Sequence, residues 1–183
     1  MKQCTQEHYG NGLVHIYCGH GKGKTTCAMG LCLRAAGAGL KVVIYQFMKD
    51  GRAGERRILE KDENVTFLNE ARSVSFSFQM NEEQKQQERE RYLADLAHIE
   101  DYTRHENTDV LLLDEVLYAI SCGLLPEQAL TDFLDHRPGK LEVILTGREP
   151  SAEVMERADY ISRIAEEKHP YQKGIPARKG IEY

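Results

Sequence analysis

The sequence predicts one α/β domain, three layers deep and built on a mostly parallel sheet. Short apolar runs rich in Val, Ile and Leu alternate with helical patterns along the chain. Runs apolar at nearly every position fit strands covered on both faces, as parallel strands are. A glycine-rich segment, 18–26 (CGHGKGKTT), joins the first of these runs to the first helical pattern. With 183 residues, 41% hydrophobic and 29% charged, the chain has the size and balance of a single globular domain that needs no staples. The residues up to 12 are expected to form a flexible lead into that domain.

The strand candidates are 13–18 (LVHIYC), 41–47 (KVVIYQF), 65–68 (VTFL), 109–113 (DVLLL) and 141–146 (LEVILT). Between them, 25–36 is apolar almost all round, as suits a helix lying on a sheet, and Gly37 and Gly39 supply its stop signals. Residues 82–105 place Tyr92, Leu96, Ile99 and Tyr102 on one helical stripe, and the EEQKQQERER run within them reads as a solvated face. Pro126 suits the first turn of a helix over 127–136, and Ser151 is a candidate N-cap for a helix through Arg157.

Composition excludes several classes. Lys and Arg number 24 against 29 Asp and Glu, a formal net charge of −5, which argues against a general nucleic-acid binder. The longest uninterrupted aliphatic run, 110–113, is far short of the ~20 residues that cross a bilayer, so no membrane partner is expected. The first seven residues show no apolar core of a secretory signal, and the expected compartment is the cytoplasm. The five cysteines include no CxxC pair, so neither a disulfide framework nor a zinc site is expected. Cys27 and Cys32 are expected to pack as small core residues.

The sharpest chemical signal is the glycine loop. Gly19, Gly21 and Gly23 let the backbone curl so that successive N–H groups converge on phosphate oxygens, and His20 and Lys22 stand between them. Lys24 would place an ammonium on the phosphates, the Thr25 hydroxyl would ligate Mg²⁺, and Thr26 continues into the helix whose N-terminus favours anions. The spacing is one residue tighter than G-x-x-x-x-G-K-[ST], because Cys18 stands where the first glycine would be. Asp114 and Glu115 follow the DVLLL run, at the strand end where open parallel sheets put their ligands, and would hold Mg²⁺ directly or through water. Arg148, after the LEVILT run, offers a planar donor fork for phosphates. His98 and His105 read as solvent-facing or helix-capping residues rather than metal ligands, and the basic tail from Lys168 to Lys179 reads either as a solvated terminus or as a phosphate contact. On these residues alone an ATPase, a small-molecule kinase and a non-catalytic nucleotide carrier all remain open.

The sequence resembles the P-loop ATP:corrinoid adenosyltransferases from Gly12 to Tyr183. The pieces that carry the likeness are GHGKGKTT at 19–26, Gln46–Phe47, LLLDE at 111–115, RPG at 137–139, LTGR at 145–148 and KHPYQKGIPARKGIEY from Lys168. The resemblance implies a RecA-like P-loop domain acting as a homodimer, with ATP and a reduced corrinoid as substrates and a flavoprotein or reduced flavin as electron donor. It implies transfer of the 5′-deoxyadenosyl group to cobalt with loss of triphosphate. Gly19 to Thr25 would wrap the triphosphate, and Thr25 and Glu115 would ligate Mg²⁺. Phe76 and Phe78, aligned with an aromatic segment of the family, would close the lower corrin face; by pattern alone they read as core residues of a half-buried strand. The chain departs from the family in having Phe78 where a Trp is usual and His20 where Asn or Asp is common. It is also expected to lack a long N-terminal lid.

Overall fold

The computed structural model describes residues 10–69 and 80–182. All five expected strands form within them: β1 (Val14–Cys18), β2 (Val42–Gln46), β3 (Val65–Phe67), β4 (Val110–Asp114) and β5 (Glu142–Thr146). A sixth, β6 (Tyr160–Arg163), is not foreshadowed in the sequence. All four of its residues are exposed, so it lacks the apolar run that marks the others and forms only by pairing its backbone with β1. The described strands make one sheet in the order β3-β2-β4-β5-β1-β6, and every pairing is parallel rather than mostly so.

The helices are α1 (Lys24–Gly37), α2 (Arg56–Leu59), α3 (Glu82–His105), α4 (Val116–Ser121), α5 (Glu127–His136) and α6 (Ala152–Glu156), followed by a 3₁₀ turn at Pro170–Lys173. α2 and α4 are additions to the expected set; four and six residues are too few to show a helical period. Their ends follow local chemistry. Gly39, at φ +87°, lets the Leu40 N–H reach the Ala35 carbonyl and its own N–H reach Ala36, a Schellman closure of α1. Asn81 and Gln84 form a reciprocal capping box at the start of α3. The Ser151 hydroxyl accepts from the Val154 N–H, as expected of an N-cap.

Strand alternation divides the core between the two faces of the sheet. Val42, Ile44, Val110, Leu112 and Ile144 pack with Ala28, Met29, Cys32, Ala35 and Ala36 of α1. Val43, Tyr45, Leu111, Leu113, Val143 and Leu145 pack on the other face with Tyr92, Leu96 and Ile99 of α3 and with Leu130, Phe133 and Leu134 of α5. Because both faces are covered, consecutive residues of β4 are all buried. Cys32 lies in this core as expected, but Cys27 is exposed. It precedes Ala28 by one residue, about 100° around the helix from the stripe that meets the sheet. Leu112, at the centre of the sheet, is fully buried. Leu112→Ala is expected to destabilise the fold by about 2–5 kcal/mol, measured as a shift in the urea midpoint at unchanged slope.

Candidate active site at the strand ends

The parallel register brings four polar segments to one edge of the sheet. Gln46 pairs with Asp114, and Tyr17, just ahead of the glycine loop, pairs with Thr146. The loop therefore rises beside the ends of β2, β4 and β5, and Asp114 becomes the meeting point. This carboxylate is fully buried. Its Oδ1 accepts from Thr25 Oγ1 at 3.0 Å and Thr146 Oγ1 at 2.7 Å. Its Oδ2 accepts from Gln46 Nε2 at 3.0 Å and Lys49 Nζ at 2.6 Å. Burial pushes the Asp114 carboxyl up, but the Lys49 ammonium and the hydrogen bonds of Lys49, Gln46 and Thr146 outweigh it and hold the group below its ordinary range.

Glu115 differs in every respect. It has left-handed backbone, φ +61°, uncommon for a residue with a side chain, and its N–H donates to Thr146 Oγ1 at 2.8 Å. Burial raises its carboxyl above the ordinary value, the neighbouring Asp114 charge adds to this, and Lys49, Lys24 and Arg148 pull the other way. These three cations and two carboxylates thus share one electrostatic neighbourhood. Lys24 Nζ donates to the Gly21 carbonyl at 3.0 Å. The exposed Arg148 lays its guanidinium over the Tyr118 ring, 5.2 Å from the centroid. His20 and Glu149, both exposed, pair at 3.1 Å.

The glycine loop itself does two jobs. The Gly19 N–H donates to the Arg148 carbonyl and the Gly21 N–H to the Ile164 carbonyl, so both amides hold the loop against the chain rather than facing a ligand. A Cβ at Gly19 would stand 2.5 Å from the Ile164 oxygen, and one at Gly21 would stand 2.4 Å from the Ala165 oxygen. Those two glycines are therefore required by the backbone that follows β6. Gly23, at φ +116°, has open space around its missing Cβ and precedes α1. The first turn of α1, Lys24 to Thr26, offers the amides that no helical carbonyl can accept from, so within the expected Gly19–Thr25 wrap the amides left to face a ligand are those from Lys22 onward.

Thr25 Oγ1 and the Asp114 carboxylate are hard oxygen donors, the kind a divalent cation takes. Beside them the Gln46 Oε1 is buried without a hydrogen-bond partner, and the Lys49 ammonium already places a positive charge 2.7 Å from Thr25 Oγ1. Among the described residues no three His, Cys, Asp or Glu gather into a metal cage. Thr25, Asp114 and Glu115 instead offer the few protein ligands with which a phosphate-bound magnesium ion is held. Phe76 and Phe78 lie outside the described residues. His98 sits edge-on to Tyr102, and the His105 ring meets the Asp101 carbonyl of its own helix. Lys49 was not singled out from the sequence, and Gln46 and Thr146 stood there only within pieces of the family likeness; a Lys just past the KVVIYQF run was the available signal for the first. A cavity of about 380 Å³, lined by Gly12, Arg34, Asp109, Lys140 and Glu142, opens at the opposite end of the strands and takes no part in this cluster.

Residues 10–183 match the family described as ATP:corrinoid adenosyltransferase BtuR/CobO/CobP. The chain is 34% identical to the corrinoid adenosyltransferase of Escherichia coli K12, over 94% of its own length and 86% of that protein. It is 31% identical to corrinoid adenosyltransferase CobA of Salmonella typhimurium over the same shares. Its identity to the corrinoid adenosyltransferase of Pseudomonas aeruginosa is 27%, over 94% and 84%. A glycine loop set against a buried carboxylate is common to many nucleotide enzymes; a match running from before β1 to the last residue is specific. The chain belongs to the ATP:corrinoid adenosyltransferase family.

Proposed function

We propose that this transferase moves the 5′-deoxyadenosyl group of ATP onto the Co(I) centre of a reduced corrinoid and releases triphosphate, in adenosylcobalamin biosynthesis or salvage. Family membership across residues 10–183 carries the reading. The chemistry agrees with what the site contains. The cobalt electron pair attacks C5′, the cobalt–carbon bond forms, and the C5′–oxygen bond breaks with its electrons leaving on triphosphate. Cobalt is thereby oxidised from +1 to +3, and no proton moves. A general base is unnecessary; the tasks are alignment of the reacting atoms and stabilisation of a polyanion.

In this reading the amides at 22–26 and the Lys24 ammonium hold the triphosphate, with Lys22 and Arg148 adding charge at its edge. Thr25, Asp114 and Glu115 hold Mg²⁺, which would neutralise the leaving oxygens. Phe76 and Phe78 shield the lower corrin face, keeping an axial base from cobalt so that Co(II) is more easily reduced by a flavoprotein or reduced flavin. The enzyme works in the cytoplasm as a homodimer.

Incubation with ATP, Mg²⁺ and chemically reduced corrinoid tests the reaction. The expected outcome is a spectrum showing cobalt–carbon bond formation, one triphosphate per adenosylated product, and no turnover when Mg²⁺ is omitted; ADP as the product would overturn the reading in favour of an ATPase or kinase. Lys24→Ala is expected to keep its melting temperature and lose about 10²–10³ in kcat, as removal of a preorganised donor to a developing anion does. Near-normal turnover at saturating ATP would remove Lys24 from the site. Phe78→Ala, assayed with Co(II) corrinoid and reduced flavin, is expected to slow at least about tenfold, some 1.4 kcal/mol of barrier, while its rate with pre-formed Co(I) is unchanged. Equal losses in both assays from a destabilised protein would mark Phe78 as core.

A further inference from the structure

The most unusual feature of the site is the position of Lys49. Met48, just ahead of it, has φ +53°, a conformation that costs energy for any residue with a Cβ and persists where surrounding structure enforces it. The Met48 N–H is held by the Tyr92 hydroxyl at 2.9 Å, and Tyr92 is locked in the core by α3. From this turn the Lys49 side chain reaches across the strand ends, and its Nζ comes to rest 2.6 Å from Asp114 Oδ2 and 2.7 Å from Thr25 Oγ1. These are two of the oxygen donors assigned to the metal in the proposed function. The amide whose Nε2 shares Asp114 Oδ2 leaves its buried Oε1 without a partner. One cation thus fills a position whose chemistry, carboxylate and hydroxyl with an orphan amide oxygen alongside, suits a divalent ion.

We infer that the Lys49 ammonium is a resident stand-in for the divalent cation: it occupies the position between Thr25 and Asp114 in the nucleotide-free protein, so that the metal enters only together with a polyphosphate. The inference rests on the metal placement of the proposed function. A lone divalent ion would have to break the Lys49–Asp114 pair, shed water and sit beside a displaced ammonium, with no anion to offset the added charge. A polyphosphate changes that balance, because its oxygens complete the metal's coordination and give the ammonium a new partner. Metal and nucleotide binding are then coupled through one side chain, and by linkage each tightens the other.

The test is Mn²⁺ binding, followed by its electron paramagnetic resonance signal, in wild type and Lys49→Met without nucleotide. The variant is expected to bind Mn²⁺ at least about tenfold more tightly than wild type, within the range of ordinary couplings between sites. Added Mn²⁺ should raise the melting temperature of Lys49→Met and leave that of nucleotide-free wild type unmoved. Equal Mn²⁺ affinities in the two proteins would overturn the inference. Should Lys49→Met fail to fold even with Mn²⁺, wild type decides. Mn²⁺ bound by the nucleotide-free protein and lost in Thr25→Val overturns the stand-in role; Mn²⁺ bound only alongside a non-hydrolysable ATP analogue upholds it. With that analogue present, Mn²⁺ affinity should also weaken in Thr25→Val and Asp114→Asn. No change there would overturn the metal placement, and the inference with it, whereas a change there combined with equal affinities in Lys49→Met and wild type would sink the Lys49 role alone.

Discussion

The architecture of the site depends on one buried carboxylate. Asp114 accepts hydrogen bonds from four side chains that reach it from four places: Thr25 at the start of α1, Gln46 at the end of β2, Lys49 beyond it, and Thr146 at the end of β5. A carboxylate taken from water is costly unless its charge is answered and its lone pairs are filled. Here one ammonium answers the charge, and three neutral donors take up the remaining hydrogen-bonding capacity. Removing Lys49 from this ion pair would cost on the order of 3–5 kcal/mol and losing a neutral donor to the charge about 1.5–3 kcal/mol, so the glycine loop, two strand ends and the Lys49 turn are tied to one another through Asp114.

The sheet makes this meeting possible. Its parallel register sends the C-terminal ends of β1, β2, β4 and β5 to one edge, and apolar burial on both faces keeps those ends in place. β6 contributes in a less obvious way. It buries none of its side chains, yet the backbone after it passes so close to Gly19 and Gly21 that neither position has room for a Cβ. Two of the three loop glycines are thus explained by packing of the loop against residues 164–165. Only Gly23, in open space ahead of α1, has the freedom that an approaching phosphate calls for.

The electrostatics divide the two adjacent acids between two tasks. Asp114 sits below its ordinary range because its partners are in contact with it; Glu115 sits above its own because burial and the Asp114 charge act on it at once. Adjacent residues of one strand end point into unlike surroundings because the chain turns through left-handed backbone at Glu115. The result is an anchored anion beside one whose charge is less favoured, with Lys24, Lys49 and Arg148 within electrostatic reach. Such a mixture of charge suits the polyphosphate and metal of the proposed function.

Fold class and the place of the candidate site were legible in the chain because they rest on local signals. Apolar runs of five residues predict strands covered on two faces, glycines ahead of Lys-Thr predict a phosphate loop, and an acid pair after a strand predicts a ligand edge. The family likeness was legible for the same reason, since its pieces are short and in order. β6, α2 and α4 were not, being too short or too polar to show a period. The exposure of Cys27 turns on a rotation of one residue around α1. That Lys49, rather than a loop residue, touches both Thr25 and Asp114 followed from no spacing, because it requires strand order, parallel register and a left-handed turn at Met48 acting together. Which residues carry charge and where the strands end can be read along the chain; which charges meet cannot, because contacts between residues 24, 65 and 89 positions apart are set by how strands pair and not by what lies beside them in the chain.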